Sequence, residues 1–102
     1  MAELVNAHQF LQQAREEMSL RAKTYDKGGT GGERSMAAAV EAFNAITGHN
    51  LTTTQGWLFM AVLKMVRSQQ GDFRADNFVD GAAYFGLAGE AAREDFDASE
   101  GG

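Results

Sequence analysis

Five polar residues in the second half of the chain have the types and spacing to hold an anion or a metal ion. Lys64 and Arg67 stand three apart in "LKMVRSQQ", while Asp76, Asp80 and Tyr84 recur every four residues in "DNFVDGAAY". On helices, each set would lie on one face. Carboxylates one turn apart, beside a lysine and an arginine, can hold a divalent cation and a phosphate together. The pattern indicates Lys64, Arg67 and Tyr84 as ligand-binding residues, and Asp76 and Asp80 as ligands of Mg²⁺.

A helical hairpin would bring these side chains together. The segments that carry the cations and the acids are joined by a short turn, "GDFR", so the two helices should run antiparallel. Residues at equal distances from the turn then lie opposite one another. We expect Arg67 to face Asp76 and Lys64 to face Asp80, with Tyr84 one turn further along.

The same arrangement has a purely structural interpretation, in which two salt bridges satisfy the buried acids and no ligand binds. In that case Asp80→Ala would strand the Lys64 ammonium and cost roughly 3–5 kcal/mol. If Asp76 and Asp80 instead hold a cation, Asp80→Asn should leave the apo fold intact and abolish magnesium-dependent stabilisation by ligand. We predict the second pattern, because two acids facing two cations exceed what one structural bridge requires.

The elements that position these residues are all helical. The chain has no proline, and its apolar residues recur at intervals of three and four, which favours helices throughout. Four segments follow this pattern: residues 3–25, residues 36–47, a third helix from the threonines at 52–54 through Gln70, and residues 75–93. Ser35 is expected to cap the second helix, Gly48 to end it, and Thr52 with Gln55 to form a capping box for the third.

The third helix is apolar from Trp57 to Val66 except for Lys64, so we expect it at the centre of a four-helix bundle. The fourth contains Gly81, Gly86 and Gly89, each costing roughly 1 kcal/mol relative to alanine, which indicates close helix packing. So small a bundle cannot bury two largely apolar helices, and we expect a homodimer. Residues 1–95 form the single predicted domain, and 96–102 a disordered acidic tail.

The net charge and the residue types of the chain limit the kinds of molecule that it can be expected to bind. The net charge of −5 gives no broad attraction to nucleic acid or to a membrane surface. The absence of cysteine excludes disulfides and thiolate metal sites, and "MAELVNAHQF" has no secretory signal, so a cytoplasmic protein is expected. His8 and His49 are isolated, so no zinc site is predicted. "GGTGG" lacks the ending of a P-loop and is interpreted as a flexible connector, although Arg34 beside it could reach a bound anion.

At these residues the chain resembles a family of small, uncharacterised helical proteins from bacteriophages and prophages. The resemblance covers most of the chain. It includes an Arg-x-x-x-Tyr pattern before a glycine-rich loop, matched by Arg21 and Tyr25, and the Lys-x-x-Arg and Asp-x-x-x-Asp-x-x-x-Tyr patterns described above. The stretches "GGERSM" and "AFNAITGH" match one subgroup of that family. We add Arg21 and Tyr25 to the candidate ligand-binding residues.

A more distant resemblance is to the all-α nucleotide pyrophosphatases of the MazG type, which bind magnesium through Glu-Glu-x-x-Glu and a later Glu-Glu-x-x-Asp. "EEMSL" is similar to the first motif, with Leu20 in place of its last acid, and "DNFVD" to the second, with Asp76 and Asn77 in place of the two glutamates. The resemblance implies Glu17 as a further metal ligand. Because acids are missing, it implies binding of a phosphate-bearing ligand rather than hydrolysis.

The sequence therefore predicts an all-α phage-type accessory protein that binds a phosphate-bearing, nucleotide-like small ligand between its third and fourth helices, with Mg²⁺ as a candidate cofactor. It assigns no catalytic residue. The alternative is a phage-encoded inhibitor that binds a host protein, such as a defence component, through its acidic surface and apolar patches.

Overall fold

The computed structural model describes residues 3–25 and 35–101, and within these ranges it gives no side-chain positions at 22, 24, 25 and 101. Four α-helices make up almost all of the described chain: α1 (Ala7–Tyr25), α2 (Ser35–Thr47), α3 (Thr53–Ser68) and α4 (Ala75–Gly101). No strand occurs within those two ranges. The predicted all-α class is confirmed.

The first helix begins later than predicted because Asn6 caps it. The Asn6 side-chain oxygen accepts a hydrogen bond from the Gln9 backbone N–H at 3.0 Å, and the Gln9 side chain accepts one from the Asn6 N–H at 2.9 Å. This reciprocal pair is a capping box, and it fixes the start of α1 at Ala7 rather than near Glu3.

The connection between α2 and α3 has two sharply defined ends. Gly48 adopts a φ of +77°, a left-handed conformation that glycine tolerates best, and it ends α2 as predicted. Thr52 and Gln55 form the predicted capping box at the start of α3. The Asn44 side chain of α2 connects the two ends of this segment: it donates a hydrogen bond to the Leu51 carbonyl and accepts one from the Leu51 N–H, both at 2.9 Å. Ser35, predicted as a cap, is instead the first helical residue of α2.

The fourth helix is longer than its apolar pattern suggested. We expected it to end near Arg93, but it continues to Gly101. The expectation was wrong because it relied on the loss of apolar residues after Ala92. An exposed helix can continue without them, and here Glu94, Ala98 and Glu100 favour helix while Arg93 pairs with Asp97 one turn later at 3.0 Å. The division of the chain at residue 95 stays a prediction.

The helices pack in the order α1, α4, α3, α2, with the α3–α4 hairpin in the middle. The larger core cluster lies inside that hairpin and contains Trp57 and Tyr84, whose rings stack at 5.8 Å. Met18 of α1 and Met36 of α2 both pack against it. A second cluster joins Ala14 of α1 to Val79 and Ala83 of α4. The outer helices therefore hold the hairpin in place through one shared core.

The prediction that α3 is covered on several sides was wrong for a single chain. Its buried residues recur at intervals of four and three along one stripe, whereas five large apolar side chains on other parts of its surface are exposed: Leu58, Phe59, Val62, Met65 and Val66. The second helix does not cover them, because it touches α3 mainly where Met36 and Val40 meet Gly56. Phe43 and Ile46 of α2 are exposed as well.

Candidate functional site

The seam between α3 and α4 is centred on Lys64. Trp57, Ala61, Lys64 and Ser68 form the stripe of α3 that faces α4, so the lysine is directed into the hairpin. Its Nζ lies 3.0 Å from Oδ2 of Asp80 and 3.9 Å from Oδ2 of Asp76. The Lys64 side chain is 11% exposed and that of Asp80 is 18% exposed. The predicted ion pair of Lys64 with Asp80 is therefore confirmed as a largely buried contact.

Arg67 does not form the predicted pair with Asp76. It lies next to Ser68 but outside the stripe that faces α4, because one residue corresponds to about 100° around a helix. Arg74 takes its place, with Nε at 3.4 Å from Oδ1 of Asp76. Within residues 35–101, Asp76 is thus flanked by Lys64 and Arg74, and Arg67 remains exposed at the edge of the seam.

Tyr84 is buried further along the hairpin and interacts with Arg21 instead of the two aspartates. The Arg21 Nη1 donates to the Tyr84 hydroxyl at 3.4 Å, and the Arg21 guanidinium lies 5.5 Å from the centre of the Tyr84 ring. With Trp57 stacked on the same ring, this group ties α1 to both helices of the hairpin. Two predicted site residues, Arg21 and Tyr84, are therefore brought together, but neither lines the cleft described next.

An open cleft of about 420 Å³ lies where the hairpin reverses direction. It is lined by three cations, one acid and two amides: Lys64, Arg67, Arg74, Asp76, Gln70 and Asn77. Three positive charges against one negative charge leave the lining at +2, and counting Asp80, which pairs with Lys64 at 3.0 Å, still leaves +1, although the chain as a whole carries −5. The cleft also lies at the first turn of α4, where unpaired backbone N–H groups and the helix dipole favour an anion.

Asn77 supplies the most specific feature of this cleft. It is only 7% exposed, yet within the described ranges its side-chain amide makes no hydrogen bond. Its polar atoms still reach the solvent of the cleft, since Thr54 Oγ1 is the one side-chain atom of the described residues that is fully buried without a hydrogen-bond partner. The Asn77 amide lines the cleft and can therefore donate to, or accept from, a molecule bound there.

The remaining predicted residues do not join this group. Glu17 accepts a hydrogen bond from Gln13 at 3.1 Å on α1. The side chain of Tyr25 and the whole of Arg34 lie outside the described residues. Within the described ranges no three acidic or histidine side chains converge as a metal site. The Lys64 ammonium contacts both Asp76 and Asp80, so a metal ion bridging these two carboxylates would have to replace it, and the donor set does not fit such a bridge.

Three residues that line the cleft were missed at the sequence level: Gln70, Arg74 and Asn77. Arg74 and Asn77 flank Asp76, so their proximity to the acid was visible in "RADN". No helical periodicity marks these residues, because they lie in the turn and in the first turn of α4. The six residues that connect α3 to α4, 69–74, place Arg74 beside the first turn of α4.

An all-α domain with a cationic cleft at a hairpin end is shared by unrelated proteins, so the fold alone defines only a structural class. Residues 9–92 match the model of a protein family described as a domain of unknown function, DUF6378. The chain therefore belongs to the DUF6378 family, and the match extends from the first turn of α1 into α4. Comparison with curated proteins and with solved structures gives no significant match. Within the described residues, no helix is both long and apolar enough to cross a bilayer.

Proposed function

We propose that this DUF6378 protein binds a phosphate-bearing small ligand in the cleft at the α3–α4 reversal. The observation that carries the proposal is the cationic lining of the cleft, in which Lys64, Arg67 and Arg74 stand beside the Asn77 amide. Arginine matches the geometry of phosphate oxygens, and the first turn of α4 adds backbone donors to the same space. An acidic ligand group is the chemistry that this lining complements.

Each side chain has a separate role in the proposal. Arg67 and Arg74 stand at the rim and would bind the phosphate oxygens, while Asn77 would fix the ligand's orientation from below. Lys64 is already paired with Asp80, so it contributes charge to the cleft rather than a free hydrogen-bond donor. Asp76 is half-exposed and would meet a hydroxyl group of the ligand or a Mg²⁺ ion carried on its phosphates, since Mg²⁺ is usually held by one or two carboxylates plus phosphate oxygens.

A thermal-shift panel of inorganic phosphate, pyrophosphate and nucleotides, with and without magnesium, tests this proposal. A ligand present at ten times its Kd stabilises the fold by about 1.4 kcal/mol, which corresponds to several degrees in a domain of this size. Arg74→Ala and Asn77→Ala should remove that shift.

Arg93→Ala is the matched control, because the Arg93 side chain is 73% exposed, as is that of Arg74, but lies on α4 away from the cleft. It should leave the ligand-induced shift unchanged. No stabilisation by any member of the panel, or equal loss in the Arg74 and Arg93 variants, would show that the cleft does not bind phosphate.

The origin and setting of the protein are proposed on sequence grounds. The motifs shared with phage and prophage proteins support a phage-encoded accessory protein that acts in the host cytoplasm. Its distant likeness to the MazG-type enzymes supports a nucleotide-like ligand. Self-association into a dimer also belongs to this proposal, and its surface is derived in the next subsection.

A second candidate function is inhibition of a host protein by direct binding. The observation that favours it is the exposed apolar surface of α3 and α4, since such patches mark interaction sites. A host protein recovered on pull-down, together with indifference to every phosphate compound, would support this function over the first.

A further inference from the structure

One surface stripe of α4 has the pattern of an interhelical contact, and the described residues of the chain cover only its first part, near α1. Its six positions alternate at intervals of four and three, which keeps them on one face of a helix: Phe78, Ala82, Phe85, Gly89, Ala92 and Phe96. All three phenylalanines are exposed, Phe85 to 66%. Phe78 touches Phe10 and Phe73, but neither contact buries it. We call these six positions the α4 stripe.

The glycines of α4 show that the described residues do not cover the middle of this surface. A Cβ added at Gly81 would lie 3.6 Å from the Cβ of Lys64, so close packing against α3 accounts for that glycine. At Gly86 and Gly89, apart from the neighbouring backbone of α4 itself, no atom of the described residues lies within 4 Å of such a Cβ. Each still costs roughly 1 kcal/mol relative to alanine. The predicted close helix packing is therefore found at Gly81, and at Gly86 and Gly89 it stays a prediction.

The exposed area is large enough for a stable interface. A folded monomer of 11.0 kDa is expected to expose about 5,600 Å². This chain exposes 7427 Å², an excess of about 1,800 Å² over that expectation. A standard protein interface buries about 800 Å² on each partner. A second copy that buries about 800 Å² on this chain would account for part of the excess exposed area, and the projecting end of α4 accounts for more of it.

We propose that the α4 stripe is the interface of a homodimer in which α4 packs antiparallel against α4 of a second copy. The two-fold axis would pass near Leu87, midway along the stripe. Phe85 then lies opposite Gly89 of the second copy, Ala82 opposite Ala92, and Phe78 opposite Phe96. Large side chains meet glycine at the centre, and the small alanines allow close approach on either side. The stripe is thus self-complementary, as a two-fold interface requires.

Charge favours the antiparallel orientation over the parallel one. The last part of α4 is acidic, with Arg93 as its one basic residue: Glu90, Glu94, Asp95, Asp97 and Glu100. The opposite end of the hairpin carries Arg67 and Arg74. An antiparallel pair places the acidic end of each α4 beside the basic end of the other, and it opposes the two helix dipoles. A parallel pair would place like charges together. This inference does not depend on the proposed phosphate site.

Sedimentation of the full chain at about 100 µM, a concentration above ordinary dimer dissociation constants, tests the interface. We expect twice the mass of 11.0 kDa for the wild type and the monomer mass for Phe85→Glu. Phe59→Glu is the matched control, because Phe59 is equally exposed but lies on α3. It should remain dimeric. A monomeric wild type, or a dimer disrupted by the Phe59 change and not by the Phe85 change, would overturn the proposal and leave the stripe to another partner.

Single cysteines test the orientation, since the chain has no cysteine of its own. Gly86 flanks the stripe close to the proposed axis, so Gly86→Cys should form a disulfide-linked dimer on mild oxidation. Ala92→Cys lies in the stripe but faces Ala82 of the second copy, so it should not cross-link. In a parallel pair the Ala92 cysteines would meet and the Gly86 cysteines would not. Cross-linking through Ala92→Cys alone, or through neither variant, would exclude the antiparallel arrangement.

Discussion

The ion pair of Lys64 with Asp80 can be dissected by replacing its members singly and together, as Lys64→Met, Asp80→Leu and the double variant. The two charged atoms are 3.0 Å apart, and both side chains are largely buried. Removing one member leaves the other charge without its partner in a poorly hydrated position. Breaking a buried pair in this way typically costs about 3–5 kcal/mol.

The two single changes should differ, because their surroundings are unequal. After Asp80→Leu, Lys64 retains Asp76 at 3.9 Å, and Asp76 is half-exposed, so we expect a cost near the lower limit of about 3 kcal/mol. After Lys64→Met, Asp80 has no other cation within 4 Å among the described residues, so a cost nearer 5 kcal/mol is expected. The double variant loses both desolvation penalties and keeps side-chain volume, and it should lie within about 1 kcal/mol of the wild type or above it.

Urea denaturation followed by far-ultraviolet circular dichroism measures these free energies of unfolding. All four proteins should be compared at one concentration, because self-association would add a concentration-dependent term. An unchanged m-value would show that the denatured state is not altered. If the two single costs simply add in the double variant, or if either is below about 1 kcal/mol, the pair is not a coupled buried contact and the reasoning is refuted.

The other predictions concern conservative changes at the same seam and at the helix ends. Asp80→Asn should leave the apo fold largely intact, because the amide still accepts a hydrogen bond from Lys64. Any magnesium-dependent ligand stabilisation, measured by thermal shift, should also remain, because Lys64 lies between Asp80 and Asp76; loss of that stabilisation would show that the Asp80 carboxylate serves a bound cation. Thr52→Ala should lower the free energy of unfolding by about 1 kcal/mol through loss of the capping box, and Thr52→Ser, which keeps the hydroxyl, should restore it. Gly56→Ala should lower the free energy of unfolding by about 1–3 kcal/mol, because the added Cβ would lie 2.8 Å from Val40 Cγ2. Gly86→Ala should raise it through higher helix propensity, because its Cβ contacts no other described residue. Equal changes of the two variants in urea denaturation would contradict this contrast.

The sequence was sufficient for the hairpin and for its central ion pair. Spacings of three and four placed Lys64 and Asp80 on facing stripes, and equal distances from the turn matched them correctly. The sequence was insufficient to place Arg67. A residue one position away from the stripe of α3 that faces α4 lies about 100° further around the helix and so outside the seam. Which stripe faces α4 depends on the rotation of α3 about its own axis. That rotation is set by Trp57 and Ala61, whose burial no local pattern revealed.

Helix ends were predictable where a cap had a clear chemical signature. Gly48 and the Thr52–Gln55 box have such a signature. The Asn6–Gln9 box has one of the same kind, an asparagine followed three residues later by a glutamine, although the apolar pattern placed the start of α1 at residue 3. Coverage of the helices was the least predictable feature. Because α3 is apolar around most of its circumference, other helices were expected to bury it. The sequence did not show that α1 and α2 pack against the core of the α3–α4 hairpin and leave Phe59 exposed.

The projection of α4 past the beginning of α3 gives one helix two different stabilities. Around Ala88 its backbone is enclosed by the core, so amide hydrogens there should exchange with solvent only when the domain unfolds. Beyond Arg93 every described side chain is exposed, and amides in an isolated protomer should exchange by local fraying at almost no free-energy cost. Hydrogen exchange along α4 should therefore fall into a slow and a fast segment. If hydrogen exchange in the fast segment slows as the protein concentration rises, a second molecule packs against the C-terminal end of α4 and stabilises it.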